Sequence, residues 1–136
     1  MKRIIAPLLA ALALGAALPA LAADQKVMLQ VSDNDEAKWN LALNNAKNLQ
    51  TALGRDKVDI EIVAYGPGIH MLKMESTVGN RITDAGTSGV KVVACENSMR
   101  AQKLKQDDML PGIGYVSAGV VEIMERQKQG WAYIRP

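Results

Sequence analysis

The chain has 136 residues, 16 basic and 14 acidic side chains, one cysteine, one histidine and no phenylalanine. A single thiol excludes a disulfide framework, and the near balance of charge lacks the basic surface that nucleic-acid binding favours. The length suits one domain once the N-terminal segment is set aside.

That segment reads as an export signal. Lys2 and Arg3 give a positive start, an apolar stretch runs from Ile4 to Leu18, and Ala20-Leu21-Ala22 supplies a small-x-small cleavage pattern. Pro7 and Pro19 break the stretch, and it is shorter than the roughly 20 apolar residues of a spanning helix. Residues 1–22 are therefore expected to be a cleaved signal peptide, leaving 23–136 as one domain exported to a bacterial periplasm, with no membrane contact after signal removal. Without Lys2 and Arg3, 14 basic and 14 acidic residues remain, a net charge of zero that permits self-association.

Strand and helix patterns alternate along the rest. Lys26–Val31 is a short apolar run suited to a buried strand. Asp33 with Glu36 three residues on resembles a capping box. The helix behind it puts Trp39, Ala42, Leu43, Ala46, Leu49 and Leu53 on one stripe and stops near Gly54. Leu41 lies off that stripe, available to a neighbouring subunit.

Val58, Ile60 and Ile62 alternate with Asp59 and Glu61, which predicts a strand with one wet face in its first half. Gly66-Pro67-Gly68 breaks it, and a short helix with His70, Met71, Leu72 and Met74 follows. A second short helix is expected over Asn80–Ala85, with a turn at Gly86–Gly89. Val90–Ala94 is the plainest buried strand. Asn97 or Ser98 is expected to cap a helix running to about Lys105. After the Pro111-Gly112 loop come a strand at Ile113–Val116, a helix capped by Ser117 and a strand at Trp131–Ile134. The last helix carries Val120, Ile123, Met124 and Gln127 on one face and a Glu122–Arg126 pair. In Trp131–Ile134 the two aromatic side chains share one face, for core packing or a subunit contact. Such alternation implies a mostly parallel sheet with helices on both faces.

In that architecture the carboxyl ends of the strands share one rim, where ligands collect. Asp33-Asn34, Gly66–His70 and Cys95 all map there. Cys95 ends a β-branched strand just before a helix start, a setting that favours an ionised sulfur. The other reading is an inert, buried cysteine packed as a small hydrophobe. His70 is a candidate base or proton donor for the thiol, as in Cys–His pairs. The alternative is a solvent-facing histidine. His70, Met71, Met74, Cys95 and Met99 together suggest soft ligands for Cu(I). Methionine also replaces phenylalanine as core filler in this chain. No Cys/His spacing matches zinc, and Gly66-Pro67-Gly68 lacks the Lys-Ser/Thr end of a phosphate loop. No metal or cofactor is assigned.

Val92-Val93-Ala94-Cys95, Met109-Leu110-Pro111-Gly112-Ile113, Val116–Val120, Gly130–Pro136, Gly66–Ile69, and Asn44, Asn45, Asn48 and Leu49 in the first helix together resemble the DsrE/DsrF-like family of small sulfur-relay proteins. The likeness runs from about Lys26 to Pro136. It implies an α/β fold: three layers, α/β/α, with a five-stranded, mostly parallel sheet. It also implies assembly as a homotrimer or homohexamer. Members with a cysteine at this strand end are associated with carrying sulfur as a persulfide between donor and acceptor proteins, and the position that matches is Cys95. The export signal is a departure from better-known cytoplasmic members. The expected function is thus a periplasmic sulfur-binding or sulfurtransferase-like carrier, exchanging sulfur with partner proteins or small sulfur species. The alternative is a non-catalytic oligomeric module, holding a small ligand or a partner, with a structural cysteine.

Overall fold

The computed structural model describes residues 23–136, so the expected signal at 1–22 lies outside the described residues. The strands are β1 (Gln25–Val31), β2 (Val58–Ala64), β3 (Lys91–Cys95), β4 (Gly114–Val116) and β5 (Ala132–Ile134). The α-helices are α1 (Glu36–Leu53), α2 (Gly79–Thr87), α3 (Glu96–Ala101) and α4 (Gly119–Lys128). A 3-10 helix, Gly66–Leu72, follows β2. The sheet order is β4-β3-β2-β1-β5, and every strand pair is parallel.

This order explains how the layers fill. From β1 to β4 the chain steps to the next strand in one direction. Right-handed crossovers then keep the connecting helices on one face. The return from β4 to β5 crosses the whole sheet in the other direction and puts α4 on the opposite face. The side chains agree. Val27, Leu29, Val31, Ile60, Ile62, Val92 and Ala94 pack with Trp39, Leu43, Ile82 and Met99 in a large core. Met28, Val63 and Val93, at the alternate positions, form a smaller apolar cluster with Ile123 of α4, with Tyr65, Val116 and Trp131 at the margin.

Helix α1 is capped by Asp35, not Asp33: the Asp35 carboxylate accepts the N–H groups of Ala37 at 2.9 Å and Lys38 at 3.4 Å. Asp33 instead pairs with Lys38 at 2.8 Å, and its carbonyl accepts the Trp39 indole N–H at 2.8 Å. Asp35 still has extended backbone angles, φ −139° and ψ 111°, so the cap falls two residues later than the pattern predicts. Of the expected stripe, Trp39, Ala42, Leu43 and Ala46 are buried, while Leu53 reaches solvent beyond the edge of the core. Leu41 is exposed, as its place off the stripe predicts.

Three further expectations are corrected. Glu61 is fully buried although the alternation made it a wet-face residue, because α4 covers that half of β2. On α4 only Ile123 of the expected apolar face is buried. Val120 and Met124 are exposed with Val121, because one lone helix touches the sheet along a narrow line. Ser117 does not cap α4; Ala118 occupies that position, and the Ser117 carbonyl accepts the Asn97 N–H at 3.2 Å. Trp131 and Tyr133 share the α4 face, as expected: Trp131 is half-buried with the Arg126 guanidinium 4.7 Å from its ring centre, and Tyr133, paired with Met28 on the edge strand, is exposed and donates to Gln30.

Candidate functional site

The alternation of β3 points Cys95 to the same face as Val93, the face covered by α4. Neither Asn97 nor Ser98 caps the next helix. Cys95 does so itself, with extended backbone angles of φ −75° and ψ 113°. Its sulfur accepts the Ser98 N–H at 3.5 Å and, from the first residue of α4, the Gly119 N–H at 3.2 Å. The β4–α4 turn therefore lies over the thiol. The Asn97 N–H bond to Ser117 pins the same turn to the start of α3.

Gly119 is required there. A Cβ at that position would stand 2.8 Å from Tyr65 Cβ and 3.3 Å from Cys95 Cβ, inside normal contact. A second glycine sets the neighbouring loop: a Cβ on Gly68 would meet the Val31 carbonyl oxygen at 2.2 Å, so only glycine lets the 3-10 helix cross the end of β1.

Helix α3 grips that loop from the other side. The Ser98 hydroxyl accepts the Gly66 N–H at 2.6 Å, and Gln102 Nε2 donates to the Gly66 carbonyl at 2.9 Å. Burial pushes the Cys95 thiol up. The Ser98 hydroxyl and the N–H groups of Gly119, Ser98 and Asn97 outweigh it and hold the thiol below its ordinary value. Cys95 is 4% exposed, so the sulfur sits under a polar roof at the rim instead of in bulk solvent.

His70 stands elsewhere on the rim. It lines an open concavity with Asn34, Trp39, Lys73 and Glu75, and it makes no hydrogen bond to the sulfur. Met71 and Met99 belong to the large core and Met74 is exposed, so these thioethers do not converge on Cys95. The expected rim is thus divided between a histidine concavity and a cysteine cradle. Tyr65, Gln102 and Gly119 were not anticipated as site residues, and Ser98 was expected only as a cap. The one local signal for Ser98 is its spacing, three residues after the cap position. Gly119 has none, because it reaches the sulfur from 24 residues away.

The fold and this cradle define a parallel α/β domain with a single cysteine at the end of its third strand. The DsrE/DsrF-like family profile matches residues 25–136, and the chain belongs to that family, whose members are generally associated with sulfur relay. Among solved structures it is similar to the protein of unknown function MTH1491 from Methanobacterium thermoautotrophicum. The two are 38% identical with a TM-score of 0.79, over 83% of this chain and 100% of that one. It also resembles the conserved protein of unknown function BT1422 from Bacteroides thetaiotaomicron, at 19% identity and a TM-score of 0.70, over 86% of this chain and 99% of that one. The ychN protein from E. coli shares the fold at 11% identity and a TM-score of 0.63, over 82% of this chain and 99% of that one. No curated protein matches the chain.

Proposed function

We propose that the protein is an exported sulfur carrier that holds sulfur as a persulfide on Cys95. The observation that supports it is the pair of backbone N–H groups that donate to one sulfur, Gly119 at 3.2 Å and Ser98 at 3.5 Å. Such donors favour an anion, whether thiolate or persulfide, over a neutral thiol. The thiolate attacks a sulfur of a polysulfide donor. A new S–S bond forms to Cys95, the donor's S–S bond breaks, and its electron pair leaves with the shortened polysulfide. An acceptor thiolate then takes the outer sulfur and regenerates the Cys95 thiolate. His70 is proposed as a proton-transfer partner acting through solvent, since it makes no direct bond to the sulfur.

Intact mass after incubation with polysulfide tests the reading. Wild type is expected to gain the mass of sulfur and Cys95→Ser to gain none; an unmodified wild type, under conditions that load a control thiol, ends the carrier proposal. His70→Gln is expected to slow loading without abolishing it. The proposed assembly is a homotrimer or homohexamer, supported by the exposed apolar face of Val120, Val121 and Met124, and light scattering reads the mass directly. Periplasmic placement rests on residues 1–22. N-terminal sequencing of the exported protein is expected to begin at or near Ala23.

The low exposure of Cys95 favours a second reading, a non-catalytic binding module with a structural cysteine. That reading predicts slow maleimide labelling of native protein and fast labelling only after unfolding.

A further inference from the structure

Glu61 sits mid-way along β2, the central strand of the sheet, and is fully shielded from solvent. Its neighbours come from each element packed on that face. Helix α4 supplies Arg126, with Nη2 2.8 Å from Glu61 Oε2, and Glu122, which meets the same guanidinium at Nε. Strand β3 supplies Lys91, with Nζ 3.7 Å from Oε2 and a half-exposed side chain. Its register partner in β1 is the uncharged Met28, and Trp131 lies beneath Arg126.

The charges do not balance if both acids are ionised. One guanidinium serves two carboxylates, since Arg126 Nε also bonds Glu122 Oε1 at 2.8 Å. Both Glu61 oxygens are then buried without a hydrogen-bond donor, the Arg126 contact to Oε2 being an ion pair only. A buried carboxylate lone pair without a donor is strongly unfavourable. One proton on Glu61 removes the conflict: the neutral acid hydrogen-bonds Glu122, and Arg126 neutralises Glu122.

We propose that Glu61 and Glu122 share a single proton beneath α4, and that this proton latches the helix, with its Gly119 N–H, in place over Cys95. The electrostatics run the same way. Burial pushes Glu61 up to about 7, the Glu122 carboxyl adds to the rise, and Arg126 and Lys91 oppose it. Losing the proton leaves two carboxylates facing Arg126 and a lysine half in water, which loosens the helix. The latch does not depend on Cys95 carrying sulfur; the thiol serves only as a reporter of where α4 sits.

The sign follows from linkage. Glu61 is raised from an ordinary 4.5 to about 7, so between those values the folded chain binds a proton that the unfolded chain does not. The stabilisation is full below about 4.5, is lost as pH rises through about 7, and stays lost above.

Thermal unfolding of the mature chain from about pH 5 to about pH 8 is the test, with Glu61→Gln alongside, since its amide mimics the protonated acid. Wild type is expected to lose about 5 °C or more of melting temperature over that range, and Glu61→Gln less than half as much. Iodoacetamide labelling of Cys95, compared at equal thiolate fraction, is expected to change with pH between these limits in wild type and not in Glu61→Gln. Equal melting slopes for the two proteins would falsify the latch. Difference infrared spectroscopy on wild type covers the case in which the variant does not fold. A protonated-carboxyl carbonyl band is expected at about pH 6 and should vanish above about pH 8; its absence at the lower pH overturns the proposal.

Discussion

Under α1 and α2 the sheet buries Leu29, Ile60, Ile62 and Val92, hydrocarbon against hydrocarbon. Under α4 it buries Glu61, Gln30 and Cys95 beside only Met28, Val63, Val93 and Ile123. The first face secures the fold, because apolar burial there is extensive. The second holds the polar chemistry under a single helix, and the identity of individual side chains matters more there than their volume. The two also differ in how they end at the solvent. α1 turns its apolar stripe inward, whereas α4 leaves Val120, Val121 and Met124 outside.

Substitutions sharpen this contrast. The largest expected effect is on the hydrocarbon face: Ile62→Ala, at a fully buried position, should cost about 2–5 kcal/mol in urea unfolding while leaving the native thiol's titration unchanged. A coupled change in thiol reactivity would show that the faces are not separable. Gly119→Ala, on the α4 face, should cost about 1–3 kcal/mol, because its Cβ has no space against Tyr65. It should also raise the pH at which Cys95 becomes alkylated, by moving one N–H off the sulfur. Asp35→Ala removes the α1 cap for about 1 kcal/mol, again with no effect on the thiol. The smallest change in stability is expected for Ser98→Ala, within about 1 kcal/mol. Its effect belongs to the chemistry: pH-dependent alkylation of Cys95 should shift to higher pH, and Ser98→Thr should restore it in part. An unshifted profile would remove the hydroxyl from the cradle.

The Cys95 thiol itself gives a pH dependence of opposite sign to that of Glu61. Its folded value is depressed, so its contribution is present above the ordinary thiol range and is lost as pH falls through the folded value. Cys95→Ser should remove this alkaline increment from a plot of melting temperature against pH.

The amino-acid pattern made the strands and most helices legible because period-two and period-3.6 apolar spacing are local properties. The apolar run Val90–Ala94 falls within one residue of β3, which puts Cys95 at the strand end. The caps were less legible. Asp33, Asn97 and Ser117 all had the right chemistry, but Asp35, Cys95 and Ala118 had the right backbone angles. Cap choice depends on where the chain bends out of the preceding strand, and residue type alone does not report that.

From the sequence alone came the order of elements, the parallel α/β class and a thiol at a strand end, since each needs only neighbours along the chain. The tertiary structure alone decided that Glu61 is buried, that His70 and Cys95 occupy separate parts of the rim, and that Gly119 reaches the sulfur. The first and third are consequences of α4 returning across the sheet, which brings together groups that no local pattern connects.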